Sequence, residues 1–311
     1  MTNTSNHSRG PDFMLIGAPK CGTTSIYHYL QQHPQIHMSA LKEPHFFLFD
    51  GSEKLVFGGS KDAIRRREMI QSWDHYQALF RSIPQGEMCG EASVRYLYSA
   101  QACAAIAKRL PDCKLVAVLR HPADRAYSAY QRDRMHNIEP CENFADVLAD
   151  GARREAEQWH IGAFEQLGYY ARYLRPYMKT FGPEQLRVYL FDDLVANPRG
   201  LMRDMFEYLG IDPNIELDMS KRFNETGVIA NPLMRFLWRG TRSARSLIMP
   251  YIPIRLRGSM FNLVAGLPVK KSTKQSFDPA IRAQLTERFR EDILRLQDMI
   301  DRDLSHWLAN D

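Results

Sequence analysis

The sequence contains few cysteines, and none of them stands in a recognisable pairing pattern. The five cysteines form an odd, scattered set without a C-x-x-C spacing, so neither a disulfide framework nor a zinc site is predicted, and we expect no metal ligands among them. Apolar runs stay well below the about 20 residues of a membrane-spanning helix. The N-terminal residues also lack the apolar stretch of a signal peptide. These absences favour reduced thiols and a cytoplasmic location.

Acidic residues are missing from one long segment. None lies between Glu225 and Asp278, a stretch with nine basic residues in a chain whose formal charge is +5. A local basic block predicts an anionic partner, whereas a basic character over the whole chain would have indicated nucleic acid, which we do not expect. Over 232–258, arginines interleave with apolar residues. This part could contact the inner membrane face or a lipid-linked sugar, recognise an anionic acceptor, or form an ordinary helix with a solvated face.

Short apolar runs alternate with helical patterns, which predicts an α/β fold with a central parallel sheet flanked by helices. Strands are expected at 13–18, 36–39, 86–93, 114–120 and 185–194. Helices are expected at 23–32, after Pro122, after Pro198 and over 277–300. No internal repeat or low-complexity linker divides the sequence, so we expect a loose tail over 1–11 and a single domain over 12–311.

The first predicted strand runs into the glycine loop GAPKCGTTS at 17–25. Gly17, Gly22 and Thr24 fit the spacing of a Walker A phosphate loop, but Thr23 occupies the lysine position and Lys20 lies inside the loop. A strand, a glycine loop and a helix place backbone N–H groups at a helix N-terminus, where they bind phosphate. The sequence therefore predicts an anion site with an unusual lysine.

A magnesium-dependent P-loop kinase is the alternative enzyme class. It would need an acidic residue at the end of a neighbouring strand to hold the metal. The clearest strand instead ends in Arg120, which favours an anion and repels a cation. The strand predicted at 185–194 contains Asp192 and Asp193, which could hold a metal but more simply cap a turn or pair with basic residues.

Three segments in the same order resemble the sulfotransferases that use 3′-phosphoadenosine 5′-phosphosulfate (PAPS). They are PKCGTTS, KEPHFF and LRHPADRAYSAYQRDRMH. The likeness is greatest to the carbohydrate branch, which includes the heparan sulfate sulfotransferases and bacterial relatives. It implies a P-loop-type sulfotransferase fold, PAPS as co-substrate without a metal, and a carbohydrate, glycolipid or other small-molecule acceptor.

The resemblance also implies roles for individual residues. Loop residues would bind the 5′-phosphosulfate, with Lys20 beside the leaving phosphate, where a preorganised donor is worth about 3 kcal/mol. Arg120 and Ser128 would hold the 3′-phosphate, and Lys270 and Lys271 would contact the cofactor. The loop residues assigned to cofactor binding are Lys20, Cys21, Gly22, Thr23, Thr24 and Ser25; Cys21 is given no chemistry.

The motif LKEPHFF supplies two candidates for the base that takes the acceptor proton. Glu43 matches the catalytic glutamate of related carbohydrate sulfotransferases, and His45 is the second candidate because histidine ordinarily titrates near neutral pH. Lys42 could approach the sulfuryl group. The alternative is a structural turn in which Glu43 pairs with Lys42. A non-catalytic nucleotide- or membrane-binding relative would not need these residues.

Other residues receive weaker assignments. In GEASVRYLYS, the side chains of Glu91, Ser93 and Arg95 are candidate ligand contacts, because the segment resembles one near the acceptor cleft. On the long helix after Pro122, three arginines are interpreted as surface or salt-bridge residues. These are Arg125, Arg132 and Arg134.

Overall fold

The computed structural model describes residues 10–49, 69–84, 86–136, 138–157, 162–220, 227–229, 269–271 and 276–309. Within these ranges the main sheet has five parallel strands in the order β2-β3-β1-β4-β5. Its strands are β1 Phe13–Gly17, β2 Ile36–Met38, β3 Met88–Ala92, β4 Lys114–Leu119 and β5 Leu186–Leu190. A separate antiparallel pair consists of β6 Gly227–Ile229 and β7 Val269–Lys271.

Helices lie between and after the strands. Their bounds are α1 Thr23–Leu30, α2 Trp73–Gln77, α3 Ala100–Arg109, α4 Pro122–Met135, α5 Phe144–Ala149, α6 Gly151–Ala156, α7 Tyr170–Gln185, α8 Phe191–Ala196, α9 Pro198–Leu209, α10 Pro279–Ile300 and α11 Ser305–Leu308. Short 3₁₀ turns occur at Phe46–Leu48, Tyr96–Tyr98 and Gln166–Gly168. Helix α7 packs against α3 and α10, and α10 also packs against α4. The predicted α/β fold with a parallel sheet is confirmed.

The central strands are apolar because helices cover a parallel sheet on its faces. Every residue of β1 is buried, and β4 is buried after its first residue. The predicted strand at 185–194 is wrong in its second half: β5 ends at Leu190, and α8 begins at Phe191. The Asp193 carboxylate accepts the N–H of Leu190 at 3.4 Å, which caps the new helix and turns the chain away from the sheet.

The strand order brings the loops of interest together. Strand β1 lies between β3 and β4, and the parallel direction places their carboxyl ends at one edge. Ligands of open α/β sheets bind at this edge. Among the described residues, no helix combines the length and the apolar character needed to cross a bilayer. The basic stretch 232–258 and residues 1–9 of the expected tail lie outside the described ranges.

Candidate active site

The loop after β1 is shaped to bind an anion at the start of α1. Gly22 is the N-cap in the left-handed region, with φ 81°, and no side chain caps the helix. A Cβ at this position would lie 2.5 Å from Cδ2 of Leu194, so the close packing requires glycine. The first helical hydrogen bond runs from the N–H of Ile26 to the carbonyl of Gly22. The N–H groups of the first turn therefore point out of the helix end, where the dipole attracts negative charge.

Three cations gather beside this loop. Lys20, itself in the left-handed region with φ 72°, has a pKa lowered to about 8. Burial is the main cause, followed by the positive charges of Arg132 and Arg120, and nearby Asp133 compensates only in part. Asp133 is buried and pairs with Arg132 at 2.7 Å. An anion here would relieve the repulsion among the three cations.

Arg120 follows β4 in the chain, and Ser128 lies on α4. Arg120 follows the last residue of β4, and its guanidinium lies 4.9 Å from the centre of the Phe191 ring. Such stacking holds the planar guanidinium in one orientation. Ser128 is half-buried on α4, four residues before Arg132. Residues at this spacing share one helix face, so Ser128 lies on the side of α4 that carries Arg132 to the loop.

The second loop at this edge holds the predicted base. Oε2 of Glu43 lies 3.0 Å from Nε2 of His45. The His45 side chain is 3% exposed and the Glu43 side chain is 27% exposed, so the carboxylate can reach solvent or substrate while the imidazole supports it from within. The N–H of Glu43 donates to the carbonyl of Ala92 at 2.8 Å, which fixes the loop to the end of β3.

Lys42 connects the two loops. Its ammonium donates to Oγ1 of Thr24 at 2.5 Å, and burial lowers its pKa while the neighbouring charge of Glu43 raises it. The expected alternative, in which Lys42 only pairs with Glu43 in a structural turn, does not account for this hydrogen bond. The phosphate loop (residues 18–22 and the first turn of α1) and the base loop (residues 39–49) are therefore in direct contact through Lys42 and Thr24.

Comparison with known proteins identifies the family. The model of the sulfotransferase domain matches residues 10–297. This chain belongs to the sulfotransferase family. The human bifunctional heparan sulfate N-deacetylase/N-sulfotransferase 3 is 28% identical over 225 residues, which are 70% of this chain and 24% of that protein. The mouse carbohydrate sulfotransferase 15 is 26% identical in an alignment of 250 positions that covers 65% of this chain and 44% of that protein.

A solved structure agrees with the assignment. The sulfotransferase from Alicyclobacillus acidocaldarius superposes with a TM-score of 0.73 at 28% identity, covering 97% of this chain and 100% of its own. This sulfotransferase chain spans less than half the length of these two curated relatives. The family and the enzyme class predicted from the three motifs are confirmed, together with the sulfotransferase fold.

The structure gives Cys21 of the sulfotransferase loop no sign of reactivity. The thiol is fully buried, and burial raises its pKa to about 11. Its sulfur lies 3.7 Å from the carbonyl oxygen of Pro19 and 3.9 Å from the hydroxyl oxygen of Tyr170. A thiol held in this way stays protonated at neutral pH and is a poor nucleophile.

The interpretation of Arg125 as a surface or salt-bridge residue is wrong. Its side chain is fully buried and donates to the carbonyl of Phe164, and none of the ion pairs in the described ranges includes it. Arg134 fits the interpretation, since it pairs with Glu142 at 3.0 Å. The sequence could not distinguish the buried Arg125 from the ion-paired Arg134. The packing of the chain around residue 164 against α4 decides which face of the helix is covered.

Arg132 is the residue that sequence reasoning missed. It does form the expected salt bridge, with Asp133, but its charge also acts on Lys20. The one available signal was its spacing of four residues from Ser128, which places both on one helix face. Glu91 and Ser93, predicted as possible ligand contacts, are buried, and Arg95 is half-buried.

Asp192 and Asp193 are engaged with other side chains, as the simpler interpretation predicted. Asp192 accepts the indole N–H of Trp307 at 2.7 Å, and Asp193 pairs with Arg302 at 3.0 Å. Over the described ranges, no group of three or more His, Cys, Asp or Glu side chains is arranged to hold a metal ion. Lys270 and Lys271 lie in β7, opposite Val228 and Gly227 of β6, and their contact with a cofactor stays a prediction.

Proposed function

We propose that this sulfotransferase moves a sulfuryl group from PAPS to a hydroxyl or amine of a carbohydrate or glycoconjugate. The observation that carries the proposal is the contact between the phosphate loop and the base loop through Thr24 and Lys42. The cation-rich loop contains Lys20, and the opposite loop contains the contact between Glu43 and His45. A group transfer from a phosphate needs both a charged cradle and a base.

The residues present suit a ligand with two phosphate groups. The helix N-terminus behind Gly22 and the ammonium of Lys20 would hold the phosphosulfate, and Thr23, Thr24 and Ser25 add hydroxyl donors. Arg120 and Ser128 would hold the 3′-phosphate, because arginine recognises phosphate through several N–H groups. The lowered pKa of Lys20 supports this assignment, since a cation repelled by its neighbours gains most from an anion.

In the proposed reaction PAPS supplies the sulfuryl group. The acceptor oxygen or nitrogen forms a bond to sulfur as the bond from sulfur to the phosphate oxygen breaks, and Glu43 takes the acceptor proton. His45 would support Glu43 through the 3.0 Å contact. Lys20 would balance the negative charge that grows on the leaving phosphate. Positioning and charge stabilisation would supply most of the rate increase, as in phosphoryl transfer.

The acceptor class rests on the relatives. One is named for heparan sulfate N-sulfation and another is named a carbohydrate sulfotransferase, which supports a sugar acceptor and leaves both amine and hydroxyl sulfation open. Two polysaccharides test this choice: N-deacetylated heparan sulfate, which offers amines, and a glycan that offers hydroxyls alone. A cytoplasmic location and membrane contact through 232–258 remain predictions from the sequence.

Calorimetry with adenosine 3′,5′-bisphosphate and with ATP, each with and without magnesium, tests the proposal. We expect tight, magnesium-independent binding of the bisphosphate that Arg120→Ala removes. Arg203→Ala is the matched control, because Arg203 is an exposed arginine on α9 that pairs with Glu207. Preference for magnesium-ATP would favour the kinase, which would have to detach Asp192 and Asp193 from their partners. Binding without transfer to either polysaccharide would favour the inactive relative.

A further inference from the structure

A carboxylate is buried directly behind the base loop. Glu91 lies at the end of β3 with 0% exposure. Its Oε2 accepts the hydroxyl of Tyr76 at 2.7 Å and the hydroxyl of Tyr96 at 3.3 Å. Ser93 adds a further hydroxyl beside this carboxyl group. A buried acidic group surrounded by three hydroxyls is a costly arrangement that needs a structural or functional reason.

Two of these hydroxyls also hold the backbone of the base loop. The N–H of Phe47 donates to the hydroxyl oxygen of Tyr96 at 3.3 Å, and the N–H of His45 donates to Oγ of Ser93 at 3.1 Å. A hydroxyl that accepts one hydrogen bond while donating another is polarised by both. The carboxylate of Glu91 therefore orients the hydroxyls that receive the loop N–H groups. Tyr76 donates to the same oxygen but receives no N–H from this loop in any described contact.

The base loop needs such support because its backbone is strained. Glu43 has φ 60° and His45 has φ 55°. For residues with a Cβ, the left-handed region costs on the order of 1 kcal/mol or more and persists only where the surroundings fix it. Aromatic packing helps, since Phe47 contacts both Tyr76 and Tyr96 edge to face. Packing is not directional enough to fix a peptide plane, whereas a hydrogen bond to its N–H is.

We propose that Glu91 is a positioning residue that holds Glu43 and His45 in their strained conformation through Tyr96 and Ser93. The proposal rests on the proposed role of Glu43 as base. Burial raises the pKa of Glu91 to about 7, hydrogen bonds from Ser93, Tyr76 and Tyr96 lower it, and the charge of Glu43 raises it. The two carboxyl groups are thus close enough for the charge of Glu43 to shift the pKa of Glu91. This agrees with a shared hydrogen-bond network.

Tyr96→Phe and Tyr76→Phe form a matched pair for the test. Each variant removes one hydroxyl from Oε2 of Glu91 and keeps the aromatic ring, but only Tyr96 holds a loop N–H. Hydrogen exchange of the peptide covering 40–49 measures the loop without any ligand. We expect exchange of that peptide to rise about tenfold in Tyr96→Phe and in Ser93→Ala, and to rise less than twofold in Tyr76→Phe.

Turnover of PAPS with N-deacetylated heparan sulfate, or with the hydroxyl-only glycan if that is the substrate, gives the second readout. We expect kcat to fall about tenfold in Tyr96→Phe, with the KM for PAPS within twofold, and both to stay near the parent values in Tyr76→Phe. Equal effects of the two variants on exchange and kcat would overturn the inference, and so would no effect of Tyr96→Phe. Full activity of Glu43→Gln would instead refute the proposed role of Glu43 as the base, while the exchange data would still decide whether the network holds the loop.

Discussion

The phosphate loop and the base loop lie in opposite electrostatic environments. Lys20 of the phosphate loop lies near the positive charges of Arg120 and Arg132, and Asp133 opposes them only in part. The base loop lies over a region of acidic and hydroxyl groups, with Glu43 above the buried Glu91. We expect a ligand to neutralise the charge of the first loop, whereas hydrogen bonds within the protein hold the second. The phosphate loop is therefore expected to respond to anions and the base loop to changes in its hydrogen-bond network.

Both loops nevertheless contain non-glycine residues in the left-handed backbone region. Lys20 in one, and Glu43 and His45 in the other, have positive φ angles without being glycine. Residues held in this region are concentrated at functional sites, because the surrounding structure has to compensate for the strain. In the phosphate loop the neighbouring Gly22 packs closely against Leu194, and in the base loop hydroxyl groups hold the N–H groups.

Glu43→Gln is expected to have the largest effect. Glutamine keeps the size of the side chain but cannot take the acceptor proton, and general base catalysis contributes roughly 10²–10⁴-fold in rate. We expect kcat to fall by that order while the affinity for adenosine 3′,5′-bisphosphate stays within about twofold, since Glu43 lies on the base loop and is not among the residues proposed to hold the bisphosphate. Steady-state kinetics and calorimetry check both parts. A large loss of bisphosphate affinity would show that the base loop also contributes to binding the bisphosphate.

Lys20→Met is expected to come next. Methionine fills similar space without a charge, and a single preorganised donor to a developing anion is worth roughly 10²–10³-fold in kcat. Because the proposal also places Lys20 against the phosphate in the ground state, bisphosphate affinity should fall as well. Lys179→Met, at an exposed position of α7, is the control for general loss of lysine charge. Unchanged kcat in Lys20→Met would remove the lysine from the mechanism.

Replacing Glu91 should change how stability depends on pH. Burial raises the folded pKa of Glu91 to about 7 from its ordinary value of 4.5, so the folded state binds the proton more tightly than the unfolded state. Its stabilising contribution is full below pH 4.5 and is lost as pH rises through 7. Relative to Glu91→Gln, the parent protein should lose roughly 2–3 kcal/mol of unfolding free energy between pH 5 and 8. Urea unfolding at both pH values measures this, and parallel curves would contradict it.

The smallest expected effect is on the pH dependence of ligand binding. Lys20 has a pKa lowered to about 8 in the free protein, and a bound phosphate should raise it, so binding should take up a proton near pH 8.5. We expect bisphosphate affinity to fall roughly tenfold between pH 7.5 and 9.5. Calorimetry in buffers of different ionisation enthalpy measures the proton directly. Lys20→Met should flatten the response, and any remainder would indicate Lys42, whose pKa is also lowered.

Much of the fold could be predicted because local patterns decide it. The buried strands β1 and β4 are continuous apolar runs, and α10 begins at a helix-start signal in which Asp278 caps the N–H of Ala280 at 2.8 Å. The strand predicted at 185–194 is too long because apolar residues also occur after Leu190. There the capping contact of Asp193 overrides strand propensity, and a propensity pattern does not include that contact.

The sequence by itself determined the sulfotransferase family and the parallel sheet, because motif order and apolar periodicity are properties of the order of residues alone. It also named Lys20, Glu43 and Arg120 as candidates. Only the tertiary structure decided that Arg125 is buried, that Arg132 acts on Lys20, and that Glu91 lies behind the base loop. Burial, pKa and hydrogen-bond partners depend on what packs against a residue from distant parts of the chain, and spacing along one segment does not specify those neighbours.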